Sequence, residues 1–466
     1  MIENTKTRQL FQDAMSGRSN RRDVLKRAAL LGISAPVAAS LASMAQFASV
    51  RAATEGTLSV TAYDWIGNLH PVLSAVNDDF NNNVFPLDAQ VAPTQGFGIE
   101  RFVQEARDGS STWDMYIGAT PFLEMIQLVE SGAIEPWDPY LPEGFLDDLP
   151  ESIRNEGSYD GKFYVWPFLL DITIQAWNGD LVEKAGLDPS VAPKTWDEFI
   201  ANARTVQESG AAPFGLTFDF HAWRSLIPIT HSISTDVYDE NGLFMWNSDA
   251  AVQALEIMKQ FMELANPDVL NEGTTDGGVN QTPDEQAFAS MRAAYYIKYQ
   301  NAPMRFAGTW PDPSKLQMSA LPVPEGGAGG TVFWDTGAVL FTHGLNKAQA
   351  GEYMKTISTD PRIWEESVAG NPDEGVTPPG QLPVLKSVWA EYEASPPEWL
   401  TANPWANSIW ENLPNASAIA PSKLSVTQFN VAAPFYIKYL NGETADAKTA
   451  LTEAQDAVMA EFEAQS

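Results

Sequence analysis

Thr57-Leu58-Ser59-Val60-Thr61-Ala62-Tyr63 alternates polar and apolar side chains with the period of a strand. Gly67-Asn68 breaks that pattern before Pro71 opens a helix in which Val72, Leu73, Val76 and Phe80 share one face. Asp114-Met115-Tyr116-Ile117-Gly118 predicts a short buried strand, and the apolar helix that follows from Pro121 to Val129 ends before Gly132. Thr195-Trp196-Asp197-Glu198 is a capping box, and Phe199, Ile200, Ala203 and Val206 supply the buried stripe of the helix it starts. Asn247-Ser248-Asp249 caps another helix, bearing Val252, Leu255, Met258, Phe261 and Met262 and stopped by Asn266-Pro267. A last helix carries Leu451, Ala454, Val458 and Phe462. Strands alternating with helices predict parallel pairing with helical crossovers, and ligands in such sheets bind beyond the carboxyl ends of the strands. Asp64 and Trp65 after the first strand, and Gly118, Ala119 and Thr120 at the end of another, are thereby placed at a cleft.

The first fifty residues predict an address. Arg18, Arg21, Arg22, Lys26 and Arg27 precede an Ala/Leu-rich run over 28–50, and Val50-Arg51-Ala52-Ala53 suits cleavage, so residues 1–53 read as a signal peptide. Asn20-Arg21-Arg22-Asp23-Val24-Leu25-Lys26 resembles the twin-arginine export motif. A membrane anchor is the other reading, but Ser34, Pro36, Ser40, Ser43 and Gln46 interrupt the run. With no cysteine there is neither a disulfide framework nor a lipid-bearing cysteine, and a soluble periplasmic protein is expected. Four histidines and no cysteine also argue against a metal or iron–sulfur cofactor.

Removing residues 1–53 leaves 20 basic against 57 acidic side chains. That field disfavours nucleic acid, anionic lipid and polyanionic solutes as partners, although it also suits a merely solvated surface. The roughly 410 residues that remain exceed what one hydrophobic core serves, which predicts two lobes.

The densest pattern lies in residues 159–199: Tyr159-Asp160-Gly161-Lys162, an apolar strand to Pro167, Asp171, Trp177-Asn178-Gly179-Asp180-Leu181, Lys184-Ala185-Gly186-Leu187-Asp188 and Lys194-Thr195-Trp196-Asp197-Glu198-Phe199. Leu128-Val129-Glu130-Ser131-Gly132-Ala133-Ile134-Glu135-Pro136, Leu321-Pro322-Val323-Pro324 and Leu440-Asn441-Gly442-Glu443 continue it in order. Together they resemble the extracellular solute-binding proteins of ABC importers, sugar-binding family 1, which includes maltose-binding protein. The resemblance implies an α/β, two-lobed periplasmic binding protein fold, each lobe a mainly parallel sheet flanked by helices. It implies an N-terminal lobe of 54–169 plus 333–394 and a C-terminal lobe of 170–332 plus 395–466. Hinges are expected at Leu170-Asp171, 327–334 and 395–398, closing the cleft like a clamp.

The family's solute is a small molecule handed intact to the permease subunits of the membrane, with a cytoplasmic ATPase in the same system. A monomeric receptor with no catalytic residues and no cofactor is the expectation, and a neutral carbohydrate or polyol the expected cargo. Sugars present C–H faces and a rim of hydroxyls, which call for aromatic rings and planar polar groups. The resemblance places Asp171 in the crossing strand as an acidic contact. Asp219, His221 and Trp223 are expected from the second lobe, with Gln300 and Asn301 after a strand. Trp334 and Asp335 are expected ahead of a strand at the second hinge, and Phe429 and Asn430 near the last aromatic contact. After the Asp114 strand, maltose-binding relatives present Trp and Asp where this chain has Gly118-Ala119-Thr120-Pro121, so a sugar other than a maltodextrin, or a polyol, is favoured. Polyamines or osmolytes are the alternative cargo, and an exported carbohydrate-active enzyme the alternative class. Tyr295-Tyr296 suggests a ferric-ion site only weakly, because neighbours in a strand face opposite ways.

Overall fold

In a computed structural model, which describes residues 26–27, 55–63, 66, 71–91, 99–276 and 279–465, the first alternating segment is strand β1 (Leu58–Ala62). The export segment apart from Lys26 and Arg27, and the cleft candidates Asp64 and Trp65, lie outside the described residues. The helix after β1 spans Val72–Asn83 and buries Leu73, Val76 and Phe80. Strands β2 (Leu87–Val91) and β3 (Met115–Ala119) flank β1 on either side, and both run parallel to it.

Two long strands organise the rest. Strand β5 (Trp166–Asn178) is buried along all 13 residues, as is β9 (Thr331–Phe341) along its 11. They pair antiparallel through Phe333↔Ile172, Trp334↔Asp171, Asp335↔Leu170 and Thr336↔Leu169, with a bulge before Ala338. Beyond that shared stretch they diverge. The end of β9 pairs with β3 and with β4 (Ile134–Glu135). The end of β5 pairs with β7 (Ala293–Tyr299) and β8 (Leu316–Ser319). β7 in turn runs parallel to β6 (Phe214–Phe218), and β10 (Ala416–Ala418) is parallel to the start of β9.

The result is one ten-stranded sheet with the central order β2-β1-β3-β9-β5-β7-β6. It carries two groups of parallel strands, each covered by helices, and β5 and β9 cross between them. This is the two-lobed α/β arrangement the sequence predicts, with both crossing strands inside a single sheet. One apolar core extends through both groups, and a smaller one gathers Ile99, Phe102, Trp113, Tyr116, Val339 and Phe341 on the other side of β3.

The local signals act as their chemistry requires. Thr195 accepts from the Glu198 N–H and the Glu198 carboxylate reaches back to the Thr195 N–H, starting the helix Trp196–Ser209. Ser248 caps Asp249–Phe261 by accepting from Ala251. Ala447–Gln465 buries Leu451, Ala454 and Val458. The segment after β3 differs from a plain helix: Pro121–Met125 is wound as a π turn before Ile126–Glu130 continues as α-helix. Among the described residues no helix is long and apolar enough to cross a membrane.

Candidate binding site between the crossing strands

β3, β6 and β7 all end toward the same place, where the crossing strands leave one lobe for the other. Asp171 and Trp334 face each other across the β5–β9 ladder and share one face of the sheet. Both are buried. The Asn301 amide, just past the end of β7, donates to Asp171 Oδ1 at 2.6 Å. Arg305 Nη1 donates to the Asn301 carbonyl at 3.2 Å, which fixes the amide so that its NH2 faces the carboxyl. Burial outweighs these contacts and pushes the Asp171 carboxyl up to about 7, while the Asn301 amide and the Arg305 and Arg224 guanidinium groups pull it down.

Aromatic rings surround this carboxyl. Trp334 meets Trp223 and Tyr299, each with centroids 5.2 Å apart and steep interplanar angles. Trp223 meets Phe122 from the segment after β3 at 5.7 Å, and Phe122 meets Phe429 at 6.2 Å. Ser425 Oγ also donates to the Leu123 carbonyl. The two groups of strands are therefore joined by ring contacts as well as by the sheet.

The loop after β6 is anchored by charge. Asp219 Oδ1 accepts from the His221 N–H at 3.0 Å and lies 2.6 Å from His221 Nδ1. Its Oδ2 accepts from Arg224 Nη1 at 2.8 Å and from the fully buried Lys298. Despite complete burial, these cations hold the Asp219 carboxyl well below the usual range. Lys298 also donates to Asp284 Oδ2 at 2.9 Å and lies 3.3 Å from Glu285, which in turn lies 3.7 Å from Arg305.

The structure thus brings Asp171, Trp223, Asn301, Trp334 and Phe429 together. Asp219 and His221 pair with each other, and Asp219 holds Arg224, whose guanidinium lies over the Trp223 ring. Gln300 is wholly buried and joins the site at Asp171: its carbonyl accepts from Ile172 N–H at 2.6 Å, and its amide donates to the Leu170 and Gly380 carbonyls at 2.7 and 3.2 Å and to Asp171 Oδ1 at 3.3 Å. It clamps the crossing strand on both sides of Asp171. Trp334 and Asp335 lie inside β9, which begins three residues before Trp334, whereas the sequence pattern places them ahead of a strand. Asp335 points to the opposite face from Asp171, where its Oδ1 accepts from Phe168 N–H at 2.9 Å. Burial pushes its carboxyl, and that of neighbouring Glu156, well above the usual range. Asn430 is exposed on the helix Thr427–Leu440.

Gly118 closes β3 at φ 142°, and a Cβ there would come within 2.6 Å of Tyr63 Cβ and Tyr116 Oη, so only glycine fits. Thr120 is buried, and its N–H donates to Glu124 Oε2 at 2.9 Å. Burial raises the Glu124 carboxyl to about 8 although that bond favours its charged form.

Phe122, Arg224 and Tyr299 join the site without having been singled out from sequence. Tyr299 had a usable signal, as the last residue of a strand whose successors were chosen. Arg224 reads from sequence as a solvated surface charge. A recess of 610 Å³ lined by Phe214, Asn266, Pro283 and Arg292 lies at the amino ends of β6 and β7, opposite the end at which parallel sheets bind ligands. Among the described residues no cluster of three or more His, Asp or Glu side chains is arranged to hold a metal ion.

Known proteins resemble this chain in sequence and fold. A protein of Brucella abortus (strain 2308) described as a binding protein is 22% identical over 321 residues, spanning 67% of this chain and 75% of its own. The sn-glycerol-3-phosphate-binding periplasmic protein UgpB of Agrobacterium fabrum is 29% identical over 172 residues, 35% of this chain and 39% of its own. The maltose-bound MalE3 of T. maritima superposes with a TM-score of 0.69 at 16% identity, covering 86% of this chain and 99% of MalE3, and so has the same fold. The pattern of one family, the bacterial extracellular solute-binding proteins, matches residues 91–361, more than half of the chain, and this protein belongs to that family.

Proposed function

We propose that this chain is the periplasmic receptor of an ABC importer that binds a sugar or polyol between its lobes and delivers it unchanged to the membrane permease. One observation carries the cargo class: a buried carboxyl, Asp171, oriented by an amide and walled by Trp223, Tyr299 and Trp334. Rings cover the C–H faces of a sugar, and the carboxyl and amide serve its hydroxyls. The relatives' names, which mention maltose and glycerol phosphate, support polyhydroxylated cargo. The lobes comprise 54–169 with 333–394 and 170–332 with 395–466, consistent with how β9 and β5 diverge into separate groups of strands. Residues 1–53 act as a twin-arginine signal peptide, and the mature protein works as a soluble monomer whose permease is driven by a cytoplasmic ATPase. No chemical step is assigned to it.

Thermal unfolding against sugars, polyols, osmolytes and polyamines tests this reading. A ligand at a hundredfold excess over its Kd stabilises by about 2.7 kcal/mol, which a melting curve resolves. A sugar or polyol is expected to raise Tm and to be recovered unaltered, and Asp171→Ala to abolish the rise. Stabilisation by polyamines alone, or conversion of the solute, would refute the assignment.

A further inference from the structure

Arg224 is built into the cleft wall with most of its donors uncommitted. Its Nη1 donates to Asp219, while its Nε is buried with no acceptor. The guanidinium centre lies 4.2 Å from the Trp223 ring centroid and 5.4 Å from that of Tyr299, both walls of the site around Asp171. A guanidinium carries five N–H donors in a rigid fork, so a single bond leaves most of the fork for something else. The fork is also held still. Asp219 already accepts from the His221 backbone, His221 Nδ1 and buried Lys298, so the carboxylate that orients Arg224 is itself fixed.

Local charge differs from that of the whole chain. The chain bears a net −32. Around the site, Arg224, Lys298 and Arg305 stand against Asp219, Asp284 and Glu285, and burial pushes both Glu285 and Asp171 toward their neutral forms. The wall therefore has no surplus negative charge. The distant acidic surface is screened within about 8 Å at physiological salt. A cationic solute would also find cations already over the rings it needs, Arg224 over Trp223 and Lys298 5.2 Å from the Tyr299 centroid. Two oxygens of a carboxylate or phosphate accept the parallel N–H groups of a guanidinium fork as charge-assisted bonds, stronger than those a neutral hydroxyl makes.

We propose that the solute is a sugar or polyol carrying one oxyanion, a carboxylate or a phosphate, and that Arg224 receives that group. This rests on the carbohydrate reading of the same cleft and narrows it to acidic members.

Matched pairs test it on the mature protein by tryptophan fluorescence titration: glucose and glucuronate, galactose and galacturonate, glycerol and glycerol 3-phosphate, with inorganic phosphate alone. The acid of at least one pair is expected to bind at least tenfold more tightly than its neutral partner. Uronates and glycerol phosphate distinguish carboxylate from phosphate as the group received. Arg224→Gln is expected to erase the preference, and Arg224→Lys, which keeps charge but loses the fork, to retain only part of it. Neutral partners binding as tightly as their acids in every pair that binds overturn the inference and leave the carbohydrate reading standing, and this comparison needs no variant. An acid preference unchanged in a folded Arg224→Gln removes Arg224 from the role. Inorganic phosphate binding as tightly as every sugar acid, or no binding by any compound, refutes both readings.

Discussion

Asp171 shows how one side chain couples the fold to the site. Its carboxyl titrates near 7 in the folded chain against 3.8 for an ordinary aspartate, because burial disfavours charge. Between those values the folded protein holds a proton that the unfolded chain has released, so this group's contribution to stability falls as pH rises through the window and levels off above it. Asp171→Asn keeps the shape and removes the ionisation. Its Tm is expected to match the parent's near pH 4 and to exceed it above pH 7, on the order of 1 kcal/mol or more in stability, in melts run at pH 4, 6 and 8. A difference independent of pH would show that the carboxyl is ionised in the fold. Asp171, Trp223, Asn301 and Trp334 were named in the sequence through the resemblance to the solute-binding family, whose ordered pattern fixes their positions. Arg224 was not: its partner Asp219 is near in sequence, but the buried Lys298 that shares this carboxylate comes from a distant strand, and an isolated arginine gives no sign of burial.

Elements were read more securely than single side chains, because capping and periodicity are local. The box at Thr195 and Glu198 has both reciprocal bonds. Thr195→Ala is expected to cost about 1 kcal/mol, measured by urea unfolding, with faster amide exchange confined to the first turn of Trp196–Ser209. No change in either would mean that packing of Phe199, Ile200 and Val206 alone sets where this helix begins. The local signals misjudged the second crossing strand. A hinge is expected over 327–334 with the strand after Asp335, yet β9 starts at Thr331 because its edge finds β10 and β5 as partners. Strand pairing is non-local, and no window of sequence contains it. The π winding at Pro121–Met125 has the same origin: its side chains are all buried, Phe122 against Trp223 and Phe429 from distant parts of the chain.

At the scale of the whole molecule, the lobes meet through the crossing strands and through a ring contact. Phe122 supplies one side of that contact and Trp223 and Phe429 the other. A solute shifts the lobes toward closure only by binding the closed form more tightly than the open one. Phe122→Ala is expected to enlarge the radius of gyration of the ligand-free protein in small-angle X-ray scattering while leaving its circular dichroism unaltered. An unchanged radius would assign the lobe arrangement to the β5–β9 pairing and the Gln300 clamp alone.

Period-two and period-3.6 patterning, caps and turn residues by themselves determined the α/β class, the order of elements and the ends of the parallel strands, where sheets of this kind bind ligands. They did so because those signals act over a few residues and follow from backbone geometry. Tertiary structure decided which polar groups reach the cleft. Trp334 and Asp335 are adjacent in sequence, yet pairing with β5 turns the first toward Asp171 and the second toward Phe168. It likewise joined Asp219 to Lys298 and Arg224, neither of which stands out along the chain, into a fixed guanidinium fork, because burial makes each charge depend on partners that only the fold brings near.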